Sequence, residues 1–258
     1  MRKAGLYADR VSINVELPTE QGLTKLAPEK KVAEIEGAMG NMKSSIVEAG
    51  EASKRSKSAP KFAPAGQSTQ MIVGADSASD SDIVARSSLL YDRFNLRRIY
   101  YSAFSPIPDA SAVLPLKRPP LMREHRIYQA DWLMRFYGFA SKEVQSATDE
   151  QGMLPLDIDP KLAWALKFRD SFPVDVNRAP REMLLRVPGL GTKAIDRILS
   201  SRRWRKLGLD DVARLTLSIG KVRPFIVTRD WRPILLTDRA DLRALVAPKR
   251  RQLELFAA

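Results

Sequence analysis

The chain has no cysteine in 258 residues, and this removes several chemistries at once. Without a thiol there is no disulfide, no cysteine-type zinc site and no cysteine-held iron–sulfur cluster on this chain. Histidine is almost as scarce. His125 stands alone, which excludes a histidine-based catalytic triad and a multi-histidine metal site. No residues are assigned to a metal, and none to a catalytic role. No apolar run approaches the length of about eighteen residues that a membrane span requires. The opening MRKAGLYADR has no apolar stretch of the kind a secretory leader carries. A cytoplasmic protein with no membrane partner is therefore expected, long enough to bury a core and to hold two domains.

Positive charge is abundant. Lys and Arg number 43 against 30 Asp and Glu, a formal net charge of +13. From Pro160 onward there are 22 basic and 10 acidic residues; the first 159 residues hold the other 21 and 20. Nearly all the excess thus lies in the C-terminal part of the chain. Between Arg178 and Lys206, nine basic residues stand among only two acidic ones. Such a patch is the electrostatic footprint of a polyanionic partner. A membrane surface fits less well, because no basic amphipathic helix with a Trp/Phe/Leu face stands out.

The basic stretch contains a motif. Residues 177–206 read NRAPREMLLRVPGLGTKAIDRILSSRRWRK. Leu184, Leu185 and Val187, then Ala194, Ile195, Ile198 and Leu199, supply two short apolar helical stripes. Pro180 suits the first turn of the first helix. Between the stripes lies Val187-Pro188-Gly189-Leu190-Gly191, with Thr192 where the second helix starts. Gly189 and Gly191 tolerate positive φ, so successive backbone N–H groups can converge on one point. That point is also a helix N-terminus, whose free donors and dipole favour an anion. The segment resembles a helix-hairpin-helix module, a family that grips nucleic-acid phosphates without reading sequence. The expected DNA-binding residues are Pro188, Gly189, Leu190, Gly191, Thr192, Lys193, Arg197, Arg202 and Arg203.

Upstream, Val11, Ile13, Val15 and Leu17 alternate with Ser12, Asn14 and Glu16, the period of a strand. The polar row faces either water or the interior of a parallel barrel, and the units that follow favour the barrel. A helix is expected from about Ala27 to Glu51, weakened by Gly37 and Gly40, and then a polar basic loop to Lys61. Thr69–Gly74 forms the second strand. The caps of residues 75–80 lead into a helix from Ser81 to Phe94, and Arg98–Phe104 forms the third strand. Strand, helix, strand, helix, strand at this spacing indicates βα units and a parallel sheet. After a proline-rich linker at 115–120, Met122–Tyr137 forms a helix whose Tyr128, Trp132, Leu133 and Phe136 share a packing face. His125 lies one turn before that face and suits a structural role. Further helices are expected at Pro160–Asp170 and Leu209–Leu215, with extended pieces at 222–227 and 231–235 and a polar tail at 238–251.

Several of these segments, in order, resemble one family: radical S-adenosylmethionine proteins fused to a helix-hairpin-helix and classed as DNA modification or repair proteins. The resemblance rests on VSINVELPTE at 11–20, LAPEKK at 26–31, GQSTQMIVGADSASD at 66–80 and FNLRRIYYSAFSPIP at 94–108. REHRIYQADWLMRFYGF at 123–139 and the hairpin complete the set. It implies an α/β fold: the C-terminal half of a partial (βα) barrel at 1–114, a linker and helix at 115–159, a helix-hairpin-helix domain at 160–236 and a basic tail at 237–258. It implies cofactor-facing roles for Asn14, Glu16, Gly74, Tyr100 and Ser102. Gln70 and Ser77 depart from the family pattern, which usually has Gly and Glu there. The intact family uses S-adenosylmethionine and a [4Fe-4S] cluster held by three cysteines of a CxxxCxxC loop. This chain has none of them and begins at what resembles the fourth strand. The expectation is a truncated chain without radical chemistry of its own, arising from a shifted start or from a split reading frame with the N-terminal half encoded separately, and its partner is nucleic acid, foremost double-stranded DNA. Two other readings stay open: a non-catalytic DNA-binding scaffold and an RNA-modifying member of the family. At the end, Gln252, Leu253, Leu255 and Phe256 of QLELF resemble a bacterial sliding-clamp-binding peptide, an apolar anchor on a flexible basic tail.

Overall fold

The computed structural model describes residues 2–107, 113–233 and 239–247. The chain folds into two compact units, one of residues 1–131 with 148–154, the other of residues 132–147 with 155–258. The architecture is mixed α/β with small parallel sheets, and no closed barrel occurs among the described residues. Among the same residues, no helix is long and apolar enough to cross a membrane.

The first unit runs α1 (Arg2–Gly5), β1 (Val11–Ser12), α2 (Glu20–Leu26), α3 (Val32–Arg55), β2 (Gln67–Val73), α4 (Asp80–Phe94), β3 (Arg98–Ala103) and the start of α5 (Leu121–Tyr137). The three strands form a parallel sheet in the order β1-β2-β3. One face is a continuous apolar core in which Met71, Val73, Ile99 and Tyr101 pack on Met39, Met42, Ile83, Leu90, Phe94 and Ile127. The other face is polar and open to solvent at Ser12, Asn14 and Tyr100. Helices are placed by strong local signals. At the start of α4, the Ser79 hydroxyl accepts from the Asp82 N–H while the Asp82 carboxylate accepts from the Ser79 N–H, a reciprocal cap. Asn95 in the left-handed region ends that helix.

The first strand is shorter than its alternation suggests. Val11 pairs with Gln67 and Ser12 with Ser68, but the next bridge joins Glu16 to Met71, so β1 carries one extra residue across this span. The Val15 N–H donates to the Thr69 hydroxyl at 3.0 Å, and Glu16 has φ of 63°. This is a bulge, and it interrupts the ladder while leaving Ile13, Val15 and Leu17 buried. Two other elements differ from expectation. The long helix starts at Val32 instead of Ala27, because a separate helix, α2, capped by the Thr19 hydroxyl, occupies the preceding turn. Trp132 and Phe136 are exposed and meet edge to face, leaving Leu133 as the buried member of the expected α5 face. His125 is exposed.

The second unit contains the end of α5, then α6 (Ser141–Gln145), α7 (Pro160–Lys167), β4 (Val174–Asp175), α8 (Arg181–Arg186), α9 (Thr192–Ser201), α10 (Leu209–Leu215), α11 (Ile219–Val222), β5 (Ile226–Val227) and α12 (Leu242–Val246). Strands β4 and β5 pair in parallel, bringing the two ends of the hairpin region together. Its core is aromatic: Trp164 meets Phe139, Phe168 and Phe172, and Phe172 meets Phe225. The segment expected as a polar tail includes α12, whose Leu242 and Val246 are buried.

Candidate nucleic-acid interface

The helix pair α8 and α9 forms where the sequence places it. Leu184, Leu185, Val187, Leu190, Ile195 and Ile198 are buried beneath it. The Val187 N–H closes α8 on Leu184, the Leu190 N–H turns back on Val187, and the Ile195 N–H bonds Gly191 as α9 begins. Gly189 has φ of +82° and is exposed at the tip. Its glycine identity is required twice. A side chain is strained at that φ, and a Cβ there would stand 2.8 Å from Val222 Cγ2 and 3.2 Å from Lys221 Cβ. The second helix pair, α10 with α11, thus packs directly on the tip, and the Thr216 hydroxyl donates to the Gly189 carbonyl at 3.4 Å. Gly191 is different: with φ of −87° it is unstrained, and the nearest atom to an added Cβ is the Tyr137 oxygen at 3.9 Å. The N–H groups of Gly189 and Gly191 have no partner among the described residues.

Behind the turn lies a group that sequence patterning does not reveal. Lys161, 7% exposed, donates from Nζ to the Leu190 carbonyl at 2.7 Å and sits 4.6 Å from the centre of the Tyr137 ring. Burial pushes its ammonium down to about 7, opposed by the charge of Asp159. Burial likewise raises the Tyr137 phenol, countered by the Thr192 N–H at its oxygen. The Tyr137 hydroxyl thus stands at the start of α9, 3.9 Å from where a Gly191 Cβ would lie. Lys161 lies in α7, far along the chain from the turn it supports, and no local spacing signals the contact.

The expected binding residues fall into groups. Pro188 and Leu190 are buried and shape the turn. Thr192 is half-buried. Lys193, Arg197 and Arg203 are exposed and, like Lys206, have no partner among the described residues. Arg202 is committed elsewhere: its guanidinium donates to the carbonyls of Val176 at 3.0 Å and Ala179 at 2.7 Å. Three more arginines of the basic stretch are paired. Arg186 forks onto Glu143 and lies over Phe139, Arg205 forks onto Asp211, and Arg181 reaches Asp196. Arg178 keeps a loose 3.9 Å contact with Asp175.

The residues that the resemblance assigns to a cofactor sit in the first unit, on or at the end of its three-stranded sheet. Asn14 accepts from the Ser12 hydroxyl, and Ser102 accepts from Gln70 at 3.4 Å. Tyr100 is exposed beneath the Arg98 guanidinium and accepts from Arg10. Glu16 is paired with Lys30 at 2.6 Å. Gly74, at φ of +79°, is backed by Pro119, whose Cγ would stand 2.9 Å from a Cβ. With no thiolate in the chain, and no group of acidic, histidine or cysteine side chains able to hold a metal among the described residues, the donor set does not fit an iron–sulfur cluster. A cavity of about 110 Å³ lies nearby, lined by Val15, Leu17, Leu23, Ile35 and Arg86, but the arginine is already paired with Glu36. Gln252, Leu253, Leu255 and Phe256 lie outside the described residues. No protein-family model, curated protein or solved structure matches the chain.

Proposed function

We propose that this chain binds the phosphate backbone of duplex DNA through the turn at residues 187–193. One observation carries the reading. The unpartnered Gly189 and Gly191 amides lie in the turn that leads into α9, and four exposed cations, Lys193, Arg197, Arg203 and Lys206, follow without partners. Backbone amides at a helix start position a phosphate, and free cations on that helix and the turn after it neutralise its neighbours without reading bases. The resemblance to radical S-adenosylmethionine proteins with a helix-hairpin-helix supports a role in DNA modification or repair, with the first unit as the later part of a (βα) barrel. Reductive chemistry is not proposed for this chain alone, because it has no cysteine to hold a cluster. A non-catalytic scaffold is the second reading. The absence of any cysteine and the engagement of Glu16 by Lys30 favour it.

The test is a titration of blunt duplexes of unrelated sequence over a range of salt. Four neutralised phosphates give a slope of log K against log[salt] near −3.6, the same for every sequence. A slope near zero, or a strong preference for one sequence, sinks the proposal.

A further inference from the structure

Trp204 is 89% exposed, in the turn that follows α9. Its neighbours alternate between fixed and free. Arg202 is tied to the carbonyls of Val176 and Ala179, and Arg205 forks onto Asp211 at 2.9 and 2.6 Å. The Trp204 N–H bonds the Ser201 carbonyl at 3.1 Å. The turn is thus held on both sides of the indole, while Arg203 and Lys206 stand exposed and have no partner among the described residues. Lys193, Arg197 and Ser200 share the exposed face of α9, and Trp204 stands in the turn three residues past the helix's last residue. Helix α9 has ten residues, a rise of about 15 Å, or roughly four nucleotide steps of a strand.

We infer that Trp204 is a stacking platform for an unpaired base, on a strand whose backbone is held at the hairpin and flanked by Arg203 and Lys206. The inference rests on the proposed backbone binding and narrows its substrate to DNA in which duplex gives way to single strand. The chemistry selects the ligand. A flat aromatic ring in a cluster of free cations matches a base face attached to a phosphate chain, and stacking is tolerant of sequence. An acidic protein surface would offer charge but no planar partner for the indole.

Binding of the full chain is measured by anisotropy on two labelled probes, a blunt duplex and the same duplex with a single-stranded extension. Trp204→Ala should weaken binding to the extended duplex by roughly tenfold or more. On the blunt duplex its affinity should stay within about twofold of the parent, because phosphate contacts supply that binding. Trp204→Phe should restore most of the loss. The inference falls if Trp204→Ala leaves the extended probe unchanged, or if it weakens both probes equally. A parent chain that ignores the blunt duplex but shows Trp204-dependent binding to the extension refutes the backbone reading and leaves the platform standing. No binding to either probe refutes both.

Discussion

Lys161 sets an ammonium group beneath the hairpin where little water reaches it, with one carbonyl and one aromatic ring as company. Its ordinary value of 10.5 falls to about 7 in the fold. Below pH 7 the lysine is protonated in both states, and the fold bears the whole desolvation penalty. Above pH 7 the folded lysine is neutral while the unfolded one is still charged, so the unfolded state binds more protons and stability rises with pH. Urea midpoints should therefore climb between pH 7 and 9, a window that stays below the raised Tyr137 titration. Lys161→Met should flatten that climb, and parallel pH profiles for the two proteins would refute the burial argument. Arg202 and Arg203 offer a second contrast, adjacent in sequence and opposite in use. Arg203→Ala should reduce the salt slope of DNA binding by about 1 and leave stability within about 0.5 kcal/mol. Arg202→Ala should leave the slope in place and lower stability by about 1–3 kcal/mol, since two carbonyls lose a charged donor. Interchanged outcomes would mean that the side chains are assigned the wrong way round.

Helices α3 and α4 show how far local rules reach. The capping residues of α4 and the three-and-four spacing of Met39, Met42 and Ile46 in α3 are readable from sequence, and the core uses them as expected. Gly37 is exposed in mid-helix, and an added Cβ there meets nothing within 4 Å. Gly37→Ala should raise stability by about 0.5–1 kcal/mol, read as a shift of the denaturant midpoint at constant m-value. A neutral or negative shift would show that the glycine has a role in packing or binding that the helix alone does not reveal. Elements of two to five residues escape such rules. The pair β4 and β5, and the short helices α6, α11 and α12, carry too few residues for a period to show. They exist because Val174, Ile226, Val222 and Leu242 are buried by partners far along the chain.

The distribution of charge and the turn at 187–192 were legible because both are local properties of composition and spacing. So were the parallel order of three strands, the apolar alternation from Val11 to Leu17, and most helix cores. A strand bulge was not legible, since it depends on the Thr69 hydroxyl taking the Val15 N–H from across the sheet. Nor was the division of the arginines. Nine basic residues between 178 and 206 look equivalent as a string. The fold brings Glu143 to Arg186, Asp211 to Arg205 and two carbonyls to Arg202, and so leaves Lys193, Arg197, Arg203 and Lys206 available. Spacing within about ten residues sets which segments become helix, strand or glycine turn, because those choices rest on backbone propensity and side-chain period. Which long side chains remain free for a ligand rests on contacts between distant segments, and these form only when the chain has packed.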